Sequence, residues 1–150
     1  MKKNTALILF VTILAAAFLF NVSEAIAQKG QITINYASPF PSTSVAGQIQ
    51  ETWMKEIEQR TGGKVKFNRY FGGTLLKGNN MYEGVVGGVT DIGNSVFGYT
   101  PGRFPLWQVM DLPVAFPSAK VANLVQWEVY KKFKPKELSG TKMLFFISCS

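Results

Sequence analysis

From residue 30 onward the apolar positions change period several times, and each change marks an element. Ile32-Thr-Ile-Asn-Tyr36 alternates with period two, as a strand with one buried face does. Ala37-Ser-Pro-Phe-Pro41 breaks the alternation, and Ser42, Thr43 or Ser44 can cap a helix beginning there. Val45, Ile49, Trp53 and Ile57 then recur every four residues, which lays one apolar stripe along that helix. Glu51 and Lys55 are spaced to pair on its surface, and Thr61-Gly62-Gly63 ends it with glycine available for a left-handed cap.

Lys64 to Tyr70 reads as a second strand, Gly72-Gly73 as a turn, and about Gly78 to Val86 as a shorter helix. Asp91 to Val96 is expected to form a short third strand. Four prolines between Phe97 and Pro117 predict short turns rather than regular elements. Pro117-Ser118 opens a helix whose Val121, Val125, Val129 and Phe133 again fall every four residues. Met143-Leu-Phe-Phe-Ile147 is fully apolar, the composition of a strand buried on both faces. The order β-α-β-α-β-turns-α-β predicts an α/β fold: a mostly parallel sheet with flanking helices. The chain stops three residues after the apolar run, so residues 28–150 read as a truncated lobe of a larger protein.

The first 27 residues follow a different rule. Lys2 and Lys3 precede an apolar run of fifteen, Ala6 to Phe20, broken only by Thr12. A polar stretch and Ala25-Ile26-Ala27 come next. This is the layout of a secretory signal cleaved between Ala27 and Gln28, and the run is shorter than the roughly 20 residues a membrane span needs. Cleavage would deliver the protein to the periplasm. The chain's 16 basic and 9 acidic residues become 14 and 8 once Lys2, Lys3 and Glu24 are removed. Export argues against nucleic acid as the partner of this basic surface. Lys131, Lys132, Lys134, Lys136 and Lys142 crowd one late stretch, where cations complement a helix C-terminus.

Cys149 is the single cysteine and histidine is absent. Histidine-based triads, dyads and metal sites are therefore excluded, and no cofactor or metal is expected. Gly72-Gly73-Thr74 lies between a strand and a helix but lacks the P-loop's Gly-Lys-Ser/Thr ending. A carboxylate pair such as Asp91 with Asp111 has the groups for acid–base work, but a strand-start aspartate and one capping a turn are more often structural. Ligands of open α/β sheets sit outside the carboxyl ends of the strands. The first strand delivers Ser38 and Phe40 there, and the third delivers Asn94, Ser95 and Phe97. Hydroxyl and amide groups beside aromatic walls suit a small polar solute better than a chemical step. Ser38 and Asn94 have a second reading, as groups satisfying local backbone in turns. Arg103 can grip a carboxylate bidentately or hold its own turn together.

Several strings, in this order, resemble DctP-type receptors of TRAP (tripartite ATP-independent periplasmic) transporters. They are Tyr36-Ala-Ser-Pro-Phe-Pro41, Arg60-Thr-Gly-Gly-Lys-Val65, Gly72-Gly-Thr-Leu-Leu76, Met81-Tyr-Glu-Gly84 and Thr90-Asp-Ile-Gly93. Tyr99-Thr-Pro-Gly-Arg-Phe-Pro105 and Asp111-Leu-Pro113 complete the series. The resemblance implies a two-lobed periplasmic-binding-protein-like receptor, not an enzyme. Such a receptor closes on a small organic anion, usually a carboxylate, and hands it to TRAP membrane permease subunits driven by an ion gradient. It also implies solute contacts at Ser38, Phe40, Asn94 and Phe97. The family's main carboxylate-clamping arginine and most of its second lobe would follow Ser150, and Ile147-Ser-Cys-Ser150 departs from its pattern. The residues leave three other readings open: a receptor of an ABC or chemosensory system, a periplasmic enzyme on the same fold, and a non-functional remnant.

Overall fold

A computed structural model of the chain describes residues 30–112 and 116–148. The expected signal segment, its cleavage point and Cys149 lie outside them. Three strands form one sheet: β1 (Ile32–Ala37), β2 (Val65–Tyr70) and β3 (Ile92–Gly93), in the order β2-β1-β3. Both pairings are parallel, with Ile32 opposite Val65 and Ala37 opposite both Tyr70 and Gly93. All three strands therefore end at one edge. The helices are α1 (Val45–Arg60), α2 (Met81–Val86), α3 (Pro105–Gln108) and α4 (Ala119–Phe133). Between Phe97 and Asp111 lie two 3-10 turns and the four-residue α3, close to the expected succession of turns.

β1 is central because its neighbours supply a partner for each edge, and its last residues, Tyr36 and Ala37, are buried. Tyr36 meets Met54 of α1 and Phe67 of β2 in a first core, with Trp53, Ile57, Phe71 and Ile92 packed around it. Phe104, Trp107 and Leu138 centre a second core, closed by Tyr82, Phe97, Val129, Tyr130 and Phe146.

The helical stripes are rotated from their expected direction. On α1 the buried positions are Gly47, Gln50 and Met54, while Val45 is 75% and Ile49 47% exposed. Gly47 explains the seating: a Cβ there would lie 2.2 Å from the Pro41 carbonyl oxygen, so the loop after β1 crosses directly over the helix's first turn. Ser44 caps that turn, accepting the N–H of Gly47 at 3.1 Å and donating to Pro41 O at 2.7 Å. On α4, likewise, Ala122 is buried while Val121 and Phe133 are exposed.

Two strands differ from expectation. β3 spans two residues, not six. Asp91 reaches β1 through both main chain and side chain, its N–H donating to Asn35 O at 3.1 Å and its Oδ2 accepting from Asn35 N at 2.7 Å. Beyond Asn94 the chain turns away into the 3-10 turn Phe97–Tyr99. Met143–Ile147 forms no strand. A two-residue β3 leaves almost no outer ladder to join, and the run docks through side chains instead. Phe145 packs on Trp53 and Phe146 on Trp107 and Trp127, each with ring centroids 5.1 Å apart. The run is half-buried, and Leu144 is exposed.

Candidate functional site

The loops leaving β1 and β3 meet at the carboxyl edge of the sheet. Ser38 follows Ala37 and is fully buried. Its N–H donates to Tyr70 O at 2.9 Å and its carbonyl accepts from Gly73 N at 3.0 Å. Its Oγ accepts from Phe40 N at 3.3 Å, so the hydroxyl organises its own turn and keeps its proton to donate. Asn94 N donates to Ala37 O at 2.9 Å, which sets Asn94 beside Ser38 one register step past the last ladder pair. The Asn94 Oδ1 is buried and has no hydrogen-bond partner among the described residues. A buried amide oxygen in that state costs free energy that a donor on a ligand would recover.

Phe40 is half-buried, and its carbonyl accepts from Gly72 N at 2.9 Å. Phe97 stacks on Trp107 at 5.0 Å with 12° between the rings and meets Phe104 edge-on at 5.3 Å. Ser95 is exposed and donates to Gly78 O at 2.8 Å, tying the exit of β3 to the start of the 3-10 turn Gly78–Asn80. Ser38, Phe40 and Asn94 are thus linked by backbone bonds. Ser95 bonds away to Gly78, and Phe97 packs into the second core against Trp107 and Phe104.

Arg103 is placed differently. Its Nε lies 3.3 Å from Glu83 Oε1 of α2, and its guanidinium sits 4.6 Å above the Tyr82 ring. These contacts fasten the turn before α3 to α2, which is the turn-holding of its two expected roles. A cation that no motif marks packs on the reversal that is bonded to Ser38. Lys77 folds back over Gly73, its Nζ 3.6 Å and its Cδ 3.3 Å from where a Cβ of Gly73 would stand. No spacing in the sequence signals this. It results from the reversal at Gly72 and Gly73, whose φ values of 66° and 69° are left-handed and favour glycine.

Two surface depressions flank α1, one beside Lys55, Glu58 and Lys66, the other beside Val45, Ile49 and Trp53. Neither includes a strand-exit residue. The strand exits form an open wall, and their polar groups decide for them over the apolar or lysine-rimmed hollows. Asp91 is committed to Asn35 N. No cluster of three or more metal-ligating side chains occurs among the described residues. No described helix is long and apolar enough to cross a membrane.

Residues 36–148 match the model of the bacterial extracellular solute-binding protein family 7, DctP. A TRAP periplasmic solute-binding protein from Desulfovibrio salexigens DSM2638 is 40% identical, with a TM-score of 0.67, over 73% of this chain and 34% of its own. That structure is an open complex with the C-terminus of a symmetry mate in its ligand-binding site. A TRAP solute-binding protein from Rhodoferax ferrireducens T118, in complex with copurified benzoate, is 26% identical over 77% of this chain and 36% of its own, with a TM-score of 0.72. A marine metagenome TRAP protein specific for aromatic acid ligands, holding 3-hydroxybenzoate, is also 26% identical, with a TM-score of 0.71 over 77% of this chain and 37% of its own. The chain spans about a third of the length of these relatives.

Proposed function

Because the chain belongs to the bacterial extracellular solute-binding proteins of family 7, we propose that it is an exported receptor whose strand-exit wall captures a small organic carboxylate for a TRAP permease. The observation that carries this reading is the junction of Ser38 and Asn94: a hydroxyl that can donate to a carboxylate and, side by side with it at the carboxyl edge, a buried amide oxygen that a donor elsewhere on the solute would satisfy. Phe40 and Phe97 give that edge an aromatic flank, and two relatives hold benzoate and 3-hydroxybenzoate. An aromatic monocarboxylate is accordingly the first solute to test. Ser95 and Arg103 belong to the rim in this reading, Arg103 reaching an anion only by leaving Glu83 or sharing its guanidinium. The family and these relatives are solute-binding proteins of transport systems, and no chemical step is assigned to the site.

The described residues provide one wall, whereas a closed pocket surrounds about 70–90% of its ligand. Benzoate should therefore bind the chain with a dissociation constant on the order of 1 mM, about −4 kcal/mol. Titration of the 15N-labelled chain with benzoate, followed by amide shifts, tests the reading. Saturable shifts are expected at the amides of Ser38, Phe40, Gly72, Gly73 and residues 94–97. Shifts confined to the outer face of α1, or none that saturate, would refute it.

A further inference from the structure

The geometry points to Lys77 as the cation of this wall that takes the solute's carboxylate, an assignment that rests on the receptor reading above. Its position is fixed from both sides. Upstream, Gly73 N donates to Ser38 O at 3.0 Å, and the Lys77 side chain lies across Gly73. Downstream, the adjoining Gly78 accepts the Ser95 hydroxyl at 2.8 Å. The residue is thus held between the exit of β1 and the exit of β3, its side chain lying against Gly73.

Electrostatics favour the same residue. Among the described residues, Lys77 takes part in none of the ion pairs, which join Lys55, Arg60, Arg69, Arg103 and Lys131 to glutamates. The carboxylates of adjacent elements are committed elsewhere: Glu83 to Arg103, Glu51 and Glu58 to Arg69, Asp91 to the Asn35 N–H. An anion arriving between Ser38 and Asn94 therefore meets an ammonium with no competing carboxylate among those partners. Gly73 contributes by what it lacks. A Cβ there would stand 3.3 Å from the lysine's Cδ and push the stem aside, and the left-handed φ of 69° disfavours one in any case. A lysine on a flexible stem is a point charge rather than a planar fork. It suits a wall that must accept carboxylates at somewhat different heights.

The test compares benzoate with benzamide, which has the same shape without the charge, on the intact chain. Lys77→Met is expected to raise the benzoate dissociation constant about tenfold, the effect of one charge-assisted bond, and to leave benzamide unchanged. Lys66→Met removes the same charge near the opposite end of β2 and should change neither. Equal benzoate binding by Lys77→Met and the parent chain would overturn the assignment while leaving the receptor reading standing. A parent chain that fails to bind benzoate removes both. A second readout needs no substitution: with 13C-labelled lysine, the Lys77 ε-methylene signal should move with benzoate occupancy and stay still with benzamide. An unmoved signal during saturable benzoate binding would equally sink it.

Discussion

Asn94 and Ser38 divide the polar work of the strand exits differently. Ser38 is committed through three backbone groups, so changing it would unseat the turn that carries Phe40. Asn94 anchors through its main chain alone, and its buried Oδ1 contributes nothing within the described fold. Asn94→Leu should therefore leave stability unchanged or raise it by up to about 1 kcal/mol, since an unsatisfied buried acceptor is removed. Binding of 3-hydroxybenzoate, whose hydroxyl can donate to that oxygen, should weaken about tenfold in the same protein, whereas benzoate, which only accepts, should bind it no worse. Urea unfolding beside the 3-hydroxybenzoate titration separates the two effects, and a parallel loss of both would make Asn94 a structural residue. Tyr36 carries a buried hydroxyl without a partner among the described residues; burial raises its phenol above the ordinary value, so it stays neutral inside the core.

Elements are held to one another by a charged clamp as well as by the aromatic cores. Arg69 of β2 lies 2.8 Å from Glu58 Oε2 and 3.4 Å from Glu51 Oε2, the latter an ion-pair distance without hydrogen-bond alignment at Nε. Glu58 also accepts the N–H of Phe67 at 2.9 Å. The hydrogen bond from Arg69, joined by that N–H, holds the Glu58 carboxyl below its ordinary value against the opposing effect of burial. A depressed carboxyl stabilises the fold above its unfolded value, about 4.3, and that contribution fades as pH falls through the folded value. Glu58→Gln should cost about 1–2 kcal/mol at pH 7, and the gap to the parent chain should close below about pH 4. Unfolding curves at both pH values check it, and a gap independent of pH would assign the loss to packing. The same clamp shows why the elements are legible in the sequence and their orientation is not. Periodicity is local, so β1, β2, α1 and α4 appear close to where Ile32, Val65, Val45 and Ala119 begin them. The rotation of α1 is set by Gly47 against Pro41 and by Glu51 and Glu58 against Arg69, contacts between segments that no period encodes. Met143–Ile147 misleads for the same reason: its composition suits a strand, but a strand needs a ladder, and β3 is too short to give one. At the site, Ser38 and Asn94 are legible as strand exits, whereas Lys77 reaches them only through the fold at Gly72 and Gly73.

At the scale of the whole molecule, the receptor reading requires delivery across the inner membrane. Expression in a bacterial host should yield a periplasmic protein beginning at Gln28, and the mass of the intact chain measures this directly; a mass retaining Lys2 and Lys3 would contradict the proposed export. The two cores are bridged by the run 143–147, with Phe145 turned to the first and Phe146 to the second. Trp53, Trp107 and Trp127 are all the tryptophans of the chain, and each has one of those two phenylalanines 5.1 Å away. The ultraviolet emission of this protein is thus an optical gauge of a single short segment. Any event that lifts the run from its seat changes the surroundings of every indole at once.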